Sequence, residues 1–215
     1  MKLDRSLISL RFVRSPLEHA VYVRSSRGAR LLVGVYVDDL VVTGSNVDEV
    51  KKFKKQMFDL FSMSDLGLFS YYLGIEVKQS KEGIKLTDII YASKILEKTG
   101  MLQTDACQVP MEQRLKLRKC GEGKKVDATY YRSVVGSLRY LVNTRPDLAY
   151  SVGIVSRYME CPTSQHLAAV KHILRYIHGT LNLGCSYVLK SSHELSLLGY
   201  SDSDHAGDTE IARAL

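Results

Sequence analysis

LLVGVYVDDLVVTGS, residues 31–45, decides how this chain reads. Asp38 and Asp39 interrupt a Val-rich apolar run. The flanks LLVGVYV and LVVTG are rich in β-branched residues, so each is predicted as a strand. Two residues, both Asp, are expected to join them in a tight hairpin, without the glycine such turns favour. Two carboxylates held together between buried strands repel each other, and desolvation adds to the cost. A divalent cation is the simplest way to offset it, and paired carboxylates at a hairpin tip suit Mg²⁺. An exposed acidic turn accounts for the same residues without a metal, because Asp is a common turn residue.

The chain has 215 residues, a formal charge of +7, 45% apolar and 25% charged residues. That balance is ordinary for a globular protein. The positive excess favours an anionic partner, nucleic acid first, although solvated lysines give the same sum. No apolar run reaches the ~18 residues of a membrane span, so no membrane partner is expected. Asp4 and Arg5 break the N-terminal segment, which makes a poor signal peptide. Cys107, Cys120, Cys161 and Cys185 form no C-x-x-C pair and read as free thiols of a reducing compartment. His166, His172 and His178 lie six apart, which leaves neighbours about 120° apart round a helix. They are expected at the surface or against nucleic acid, not sharing one metal.

Local patterns place the elements. Residues 1–12 read as a short helix. Asn46 with Glu49 resembles a capping box. Val47, Val50, Phe53, Met57, Leu60 and Phe61 then mark one apolar helix face, with Lys51, Lys52, Lys54 and Lys55 on the others. SYYLGIEVKQSKEGIKL, 70–86, reads as two strands around a KQSKEG turn, with Gly74 inside the first. Residues 88–100 read as a helix ending at Gly100, and 108–127 as an exposed basic linker. Three helices follow. One starts at the N-cap Asp127 with Val134, Val135, Leu138, Leu141 and Val142 inward. The second follows Arg145-Pro146-Asp147 with Leu148, Val152, Val155 and Met159 inward. The third starts near Thr163 with Leu167, Val170, Leu174 and Ile177 inward. Lys171, Arg175 and His178 form a stripe on its other side, able to neutralise phosphates.

YVDDLVVTGSN resembles the catalytic hairpin of reverse transcriptases of copia-type LTR retrotransposons. LDRSLISLRF and AVYVRS precede it as in that family. FSMSDLGLFSYYLGIEV (61–77), YYRSVVGSLRYLVNTRPDLAYSVGIVSRYMECPTSQHLAAVKHILRYIHGT (130–180) and LLGYSDSDHAGD (197–208) follow in the family's order. The resemblance covers all but the last seven residues. It implies an α+β chain. Residues 1–87 would be a partial polymerase palm of antiparallel hairpins plus a helix. Residues 88–190 would be a helical thumb and connection, and 194–215 a terminal β-strand stub, the start of RNase H. By the same resemblance Asp38 and Asp39 are the catalytic carboxylates that bind Mg²⁺, and Tyr36 lies beside the primer terminus. Tyr72, Leu73 and Gly74 match the primer grip. Asp202 matches the first metal-binding carboxylate of RNase H, Asp204 is not carried over as a ligand, and His205 stands where the family usually has Trp. The implied partners are an RNA template, a DNA primer and dNTPs. The implied setting is a cytoplasmic particle whose products enter the nucleus.

A third catalytic carboxylate lies upstream of the hairpin in the family. Here the only Asp before Asp38 is Asp4, which matches a helix position. The triphosphate-binding finger residues and most of RNase H find no match either. The expectation is a fragment of an RNA-directed DNA polymerase with an incomplete two-metal Mg²⁺ site. Positioning and electrostatics carry most of phosphoryl transfer, so such a fragment is expected to be inactive alone. Two other readings stand beside it. One is a non-catalytic nucleic-acid-binding remnant using Lys171, Arg175 and the basic 114–125 loop. The other is a helical interaction module completed in trans by the missing palm and fingers half.

Overall fold

The computed structural model describes residues 2–26, 28–119, 123–189 and 199. The fold is mixed α/β, with two four-stranded antiparallel sheets and six helices among the described residues. The chain divides into two compact units after Phe69. The 1–87 segment is therefore shared between them.

In the first unit, helix α1 (Lys2–Ser9) precedes strands β1 (Val13–Arg14), β2 (Val21–Ser26), β3 (Ala29–Tyr36) and β4 (Asp39–Gly44). They form one sheet in the order β1-β2-β3-β4, and helix α2 (Val47–Leu60) follows. Side chains alternate across a strand. Leu31 and Val33 of β3 thus enter a core with Leu7, Phe12, Tyr22, Phe53 and Met57. Leu32 and Val41, of opposite parity, stay half-exposed. Arg24 also points inward. Its guanidinium lies 4.8 Å from the Phe12 ring and 5.9 Å from the Phe53 ring. It donates to the Leu10 carbonyl at 3.2 Å and to Glu49 Oε2 at 3.3 Å, tying the chain after α1, β2 and α2 together. Asn46 caps α2 by accepting from the Asp48 and Glu49 N–H groups. Glu49 turns its carboxylate to Arg24.

The second unit begins with strands β5 (Tyr71–Tyr72), β6 (Ile75–Ser80) and β7 (Gly83–Thr87). The two strands expected over 70–86 are three, because the chain reverses at Leu73–Gly74 as well as after Ser80. Helices α3 (Ile89–Lys98), α4 (Ala128–Leu141), α5 (Ala149–Ser156) and α6 (Ser164–Gly179) follow. Strand β8 (Cys185–Val188) then returns to pair with β7, Leu86 opposite Cys185. Ile95, Leu96, Val134, Val135, Leu138, Leu141, Leu148, Val152, Val155, Val170, Leu174 and Ile177 form one helical core. Cys107, Cys161 and Cys185 are free thiols. Among the described residues no helix is long and apolar enough to cross a membrane. The expected strand stub at 194–215, Asp202 included, lies outside the described residues apart from Gly199.

One histidine expected at the surface is not there. His166 is fully buried and stacks on Tyr158 at 4.1 Å between ring centroids. Its Nδ1 accepts from the Thr163 N–H at 3.0 Å, so Nε2 carries the proton and donates to the Arg118 carbonyl at 3.1 Å. It takes the place a Glu or Gln holds in a capping box, and it pins the basic loop to the start of α6.

Arg145 is the largest fully buried side chain. It donates to both Asp147 oxygens, at 2.9 and 2.8 Å. It also donates to the Thr180 carbonyl at 3.0 Å and the Thr180 hydroxyl at 2.8 Å. Tyr176 Oη donates to the same Asp147 carboxylate at 3.0 Å. This network joins the α4–α5 turn to the end of α6. Burial pushes the Asp147 carboxyl up, but the bonds and charge of Arg145, with the Tyr176 bond, outweigh it and hold the group below its ordinary value. Its stabilising effect is therefore complete above about pH 4 and lost as the pH falls through the lowered value. Asp147→Asn is expected to cost about 3 kcal/mol at neutral pH by leaving a buried guanidinium without its counter-charge. Urea unfolding of both proteins at pH 7 and pH 3 checks this, and the gap between them should shrink at the acid end.

Candidate functional site

The β3–β4 hairpin carries the acidic pair, but its turn lies one residue earlier than expected. Tyr36 pairs with Asp39, so Val37 and Asp38 are the two turn residues and Asp39 opens β4. Gly44 lies at the far end of this ladder. It sits opposite Leu31, where a Cβ would stand 2.5 Å from Leu31 Cδ2 and 2.9 Å from the Arg30 carbonyl oxygen. The glycine fits that crowded position. The turn at the other end of the ladder falls on Val37–Asp38. Val37 adopts φ 53°, a region that β-branched residues rarely enter and that costs about 1–3 kcal/mol.

Tyr36, Val37, Asp38 and Asp39 are all exposed. The desolvation expected to force a cation onto the carboxylates is thus not found, because water reaches both. The case for a metal rests on the donor set, since exposed carboxylate oxygens at a fixed tip suit a hard divalent cation. Among the described residues no group of three or more His, Cys, Asp or Glu could hold a metal ion. Asp4 does not join the pair. It lies on α1, and its Oδ1 accepts from Tyr22 Oη at 2.8 Å. Strand β4 is the last of its sheet, so its outer backbone groups face no strand among the described residues.

Tyr72, Leu73 and Gly74 come together at the β5–β6 turn. Tyr72 pairs with Ile75, which makes Leu73–Gly74 a two-residue turn. Leu73 has φ 51° and Gly74 φ 94°, the pattern of a type I′ turn. Gly74 is therefore a turn glycine, not one inside a strand. Leu73 is 46% exposed. Its carbonyl accepts from Tyr140 Oη of α4, a contact the sequence reading missed. The available signal was an aromatic with a polar tip, off the Leu138–Leu141 core face at a helix end.

Lys171, Arg175 and His178 share one face of α6, as their spacing requires. Lys171 is exposed, and the other two are half-buried. Arg175 Nη2 donates to His172 Nδ1 at 3.3 Å. His178 Nδ1 is buried without a hydrogen-bond partner. Asp88, before α3, is buried as well. Its Oδ2 accepts from Thr144 Oγ1 at 3.2 Å and its Oδ1 has no partner. Burial raises this carboxyl, Thr144 opposes that, and the Glu76 charge adds to it.

The family described as reverse transcriptase (RNA-dependent DNA polymerase) matches residues 1–113. The retrovirus-related Pol polyprotein from transposon RE1 of Arabidopsis thaliana is 37% identical over 210 residues, covering 98% of this chain and 14% of that protein. The Pol polyprotein from transposon TNT 1-94 of Nicotiana tabacum is 34% identical over 220 residues, covering 98% of this chain and 16% of its own length. An uncharacterized mitochondrial protein of Arabidopsis thaliana is 38% identical over 180 residues, 84% of this chain and 74% of that one. The chain thus spans a small part of the polyproteins and most of the mitochondrial protein. No solved structure matches.

The strained turn yields a measurable outcome. Val37→Gly removes the side chain that resists positive φ, at the expense of a looser unfolded chain. The net effect is expected to be a gain of about 1 kcal/mol in unfolding free energy. Urea titration checks it, with Val33→Gly in the preceding strand expected to destabilise.

Proposed function

We propose that this chain, which belongs to the reverse transcriptase family of copia-type retrotransposon Pol polyproteins, supplies the catalytic hairpin and primer-holding turn of an RNA-directed DNA polymerase. The observation that carries the reading is the hairpin tip, with Asp38 and Asp39 exposed and adjacent beside a valine held at positive φ. The reverse transcriptase family generally uses Mg²⁺. Asp38 and Asp39 would be the ligands this chain contributes. Bound there, Mg²⁺ would activate a primer 3′-hydroxyl and stabilise the leaving pyrophosphate. Tyr36, opposite Asp39, would flank the primer terminus. Tyr72, Leu73 and Gly74 would steady the primer backbone. Asp202 would be a first ligand of an RNase H site.

Two carboxylates with no third acidic partner among the described residues make a weak metal site. The chain alone is therefore proposed to polymerise negligibly. The unpaired outer side of β4 supports completion in trans by a palm and fingers half, whose strand would bring a third carboxylate beside the tip. A second reading, nucleic-acid binding without catalysis, is favoured by Lys171 and the exposed 114–119 loop, both in solvent at the surface.

Primer extension on a primed RNA template separates these readings. The purified chain with Mg²⁺ and dNTPs is expected to give no steady incorporation, and steady incorporation would contradict the proposed dependence on a partner. Adding an upstream palm and fingers fragment from a Pol relative is expected to restore incorporation. Asp38→Asn with Asp39→Asn is then expected to lower it by about a hundredfold or more. Binding of the duplex that survives this double change, with no incorporation under any mixture, would favour the second reading.

A further inference from the structure

The Leu73–Gly74 turn bears a conformational demand that its own sequence does not meet. A type I′ turn needs positive φ at both central residues, and Asn-Gly or Gly-Gly serve it best. Leucine at φ 51° is out of place there. The two-residue β5 strand pairs with β6 at Tyr71–Glu76 and Tyr72–Ile75.

The compensation comes from the end of α4. Tyr140 Oη donates to the Leu73 carbonyl. The Tyr140 ring meets the Tyr91 ring of α3 at 4.8 Å between centroids, edge to face, and this contact helps aim the hydroxyl. A Cβ on Gly74 would meet that hydroxyl at 3.2 Å, so the glycine makes room for it. Four residues on, Thr144 donates to Asp88 at the foot of the same strands. Glu76 Oε1 of β6 accepts from the Ile90 N–H of α3 at 3.3 Å. The β5–β6 turn is thus bonded to α4 and β6 to α3, and the residue after β7 is bonded to the turn after α4.

We propose that Tyr140 is the positioning residue of the primer-holding turn, fixing the direction of the Leu73–Gly74 peptide that faces the primer's terminal phosphate. The proposal rests on the primer-grip reading of that turn. Tyr140 touches no substrate and acts through Leu73. Its hydroxyl keeps the exposed leucine and the backbone beside it in one orientation, where a free turn would sample several.

The test uses the full chain and two readouts. Amide hydrogen exchange at Gly74 and Ile75 reports the turn. Fluorescence anisotropy with an RNA–DNA hybrid bearing a recessed 3′ DNA end, against a blunt hybrid of equal length, reports primer-terminus binding. The unchanged chain is expected to prefer the recessed end. Tyr140→Phe keeps the ring on Tyr91, so the melting temperature should hold. Exchange at the turn is expected to rise about tenfold and recessed-end affinity to fall about fivefold, with blunt-end affinity unchanged. Leu73→Asn in that background should restore slow exchange at the turn, because Asn tolerates positive φ. Tyr140→Leu, which also lacks the hydroxyl, decides the matter if Tyr140→Phe fails to fold, and it should reproduce the same losses. Exchange or end preference unaltered in these variants overturns the role of Tyr140 and leaves the primer-grip reading standing. Absence of any recessed-end preference in the unchanged chain overturns the primer-grip reading, and the positioning role with it.

Discussion

Two chain reversals place a branched apolar residue where the backbone resists it. Val37 and Leu73 sit at almost the same positive φ, each at the tip of an antiparallel pair in a different unit. Such backbone persists only when its surroundings over-determine it. Around Val37 the determinants are the packed β3 ladder, the crowding at Gly44 and the core behind it, which Arg24 ties to both helices. Around Leu73 the determinant is a hydroxyl on a neighbouring helix. Each tip projects from an antiparallel strand pair of its own unit.

Much of this was legible from periodicity. The apolar faces of α4, α5 and α6, the N-caps Asn46 and Asp127, and the break at Arg145-Pro146-Asp147 fall where the spacing predicted them, while α2 buries Phe53 and Met57 but leaves Val47 and Leu60 exposed. What escaped was set at a distance. The turn falls on Val37–Asp38, in a ladder whose far end sets Gly44 against Leu31. A third strand appeared because Leu-Gly is an unusual pair for a tight turn, and its support lies in a helix much later in the chain. His166 reads as a surface residue from spacing alone, yet it fills a cap position where Glu or Gln is the recognisable residue. The cap bond is local, from Thr163 to His166, while the Tyr140–Leu73 and His166–Arg118 bonds join residues remote in sequence.

The charge of the chain divides by role. Arg145 is buried and Arg24 partly so, and their guanidiniums are engaged by carboxylates, carbonyls and aromatic faces inside the fold. Pairs of this kind are poor net stabilisers but strongly destabilising when halved. Lys171 and the 114–119 loop keep their cations at the surface. The net positive charge therefore overstates what is offered to a polyanion, and the exposed lysines are the residues that would set any salt dependence of binding.

The return of β8 to β7 has a kinetic side. Cys185 meets Leu86 only after every helix of the second unit has been made, so the sheet's last ladder cannot zip during early synthesis. Pairings this distant along a chain slow the search for the native topology. Until then the Gly83–Thr87 strand waits with one row of amides unclaimed, and nascent chains stalled short of residue 185 would be prone to clumping through that raw border.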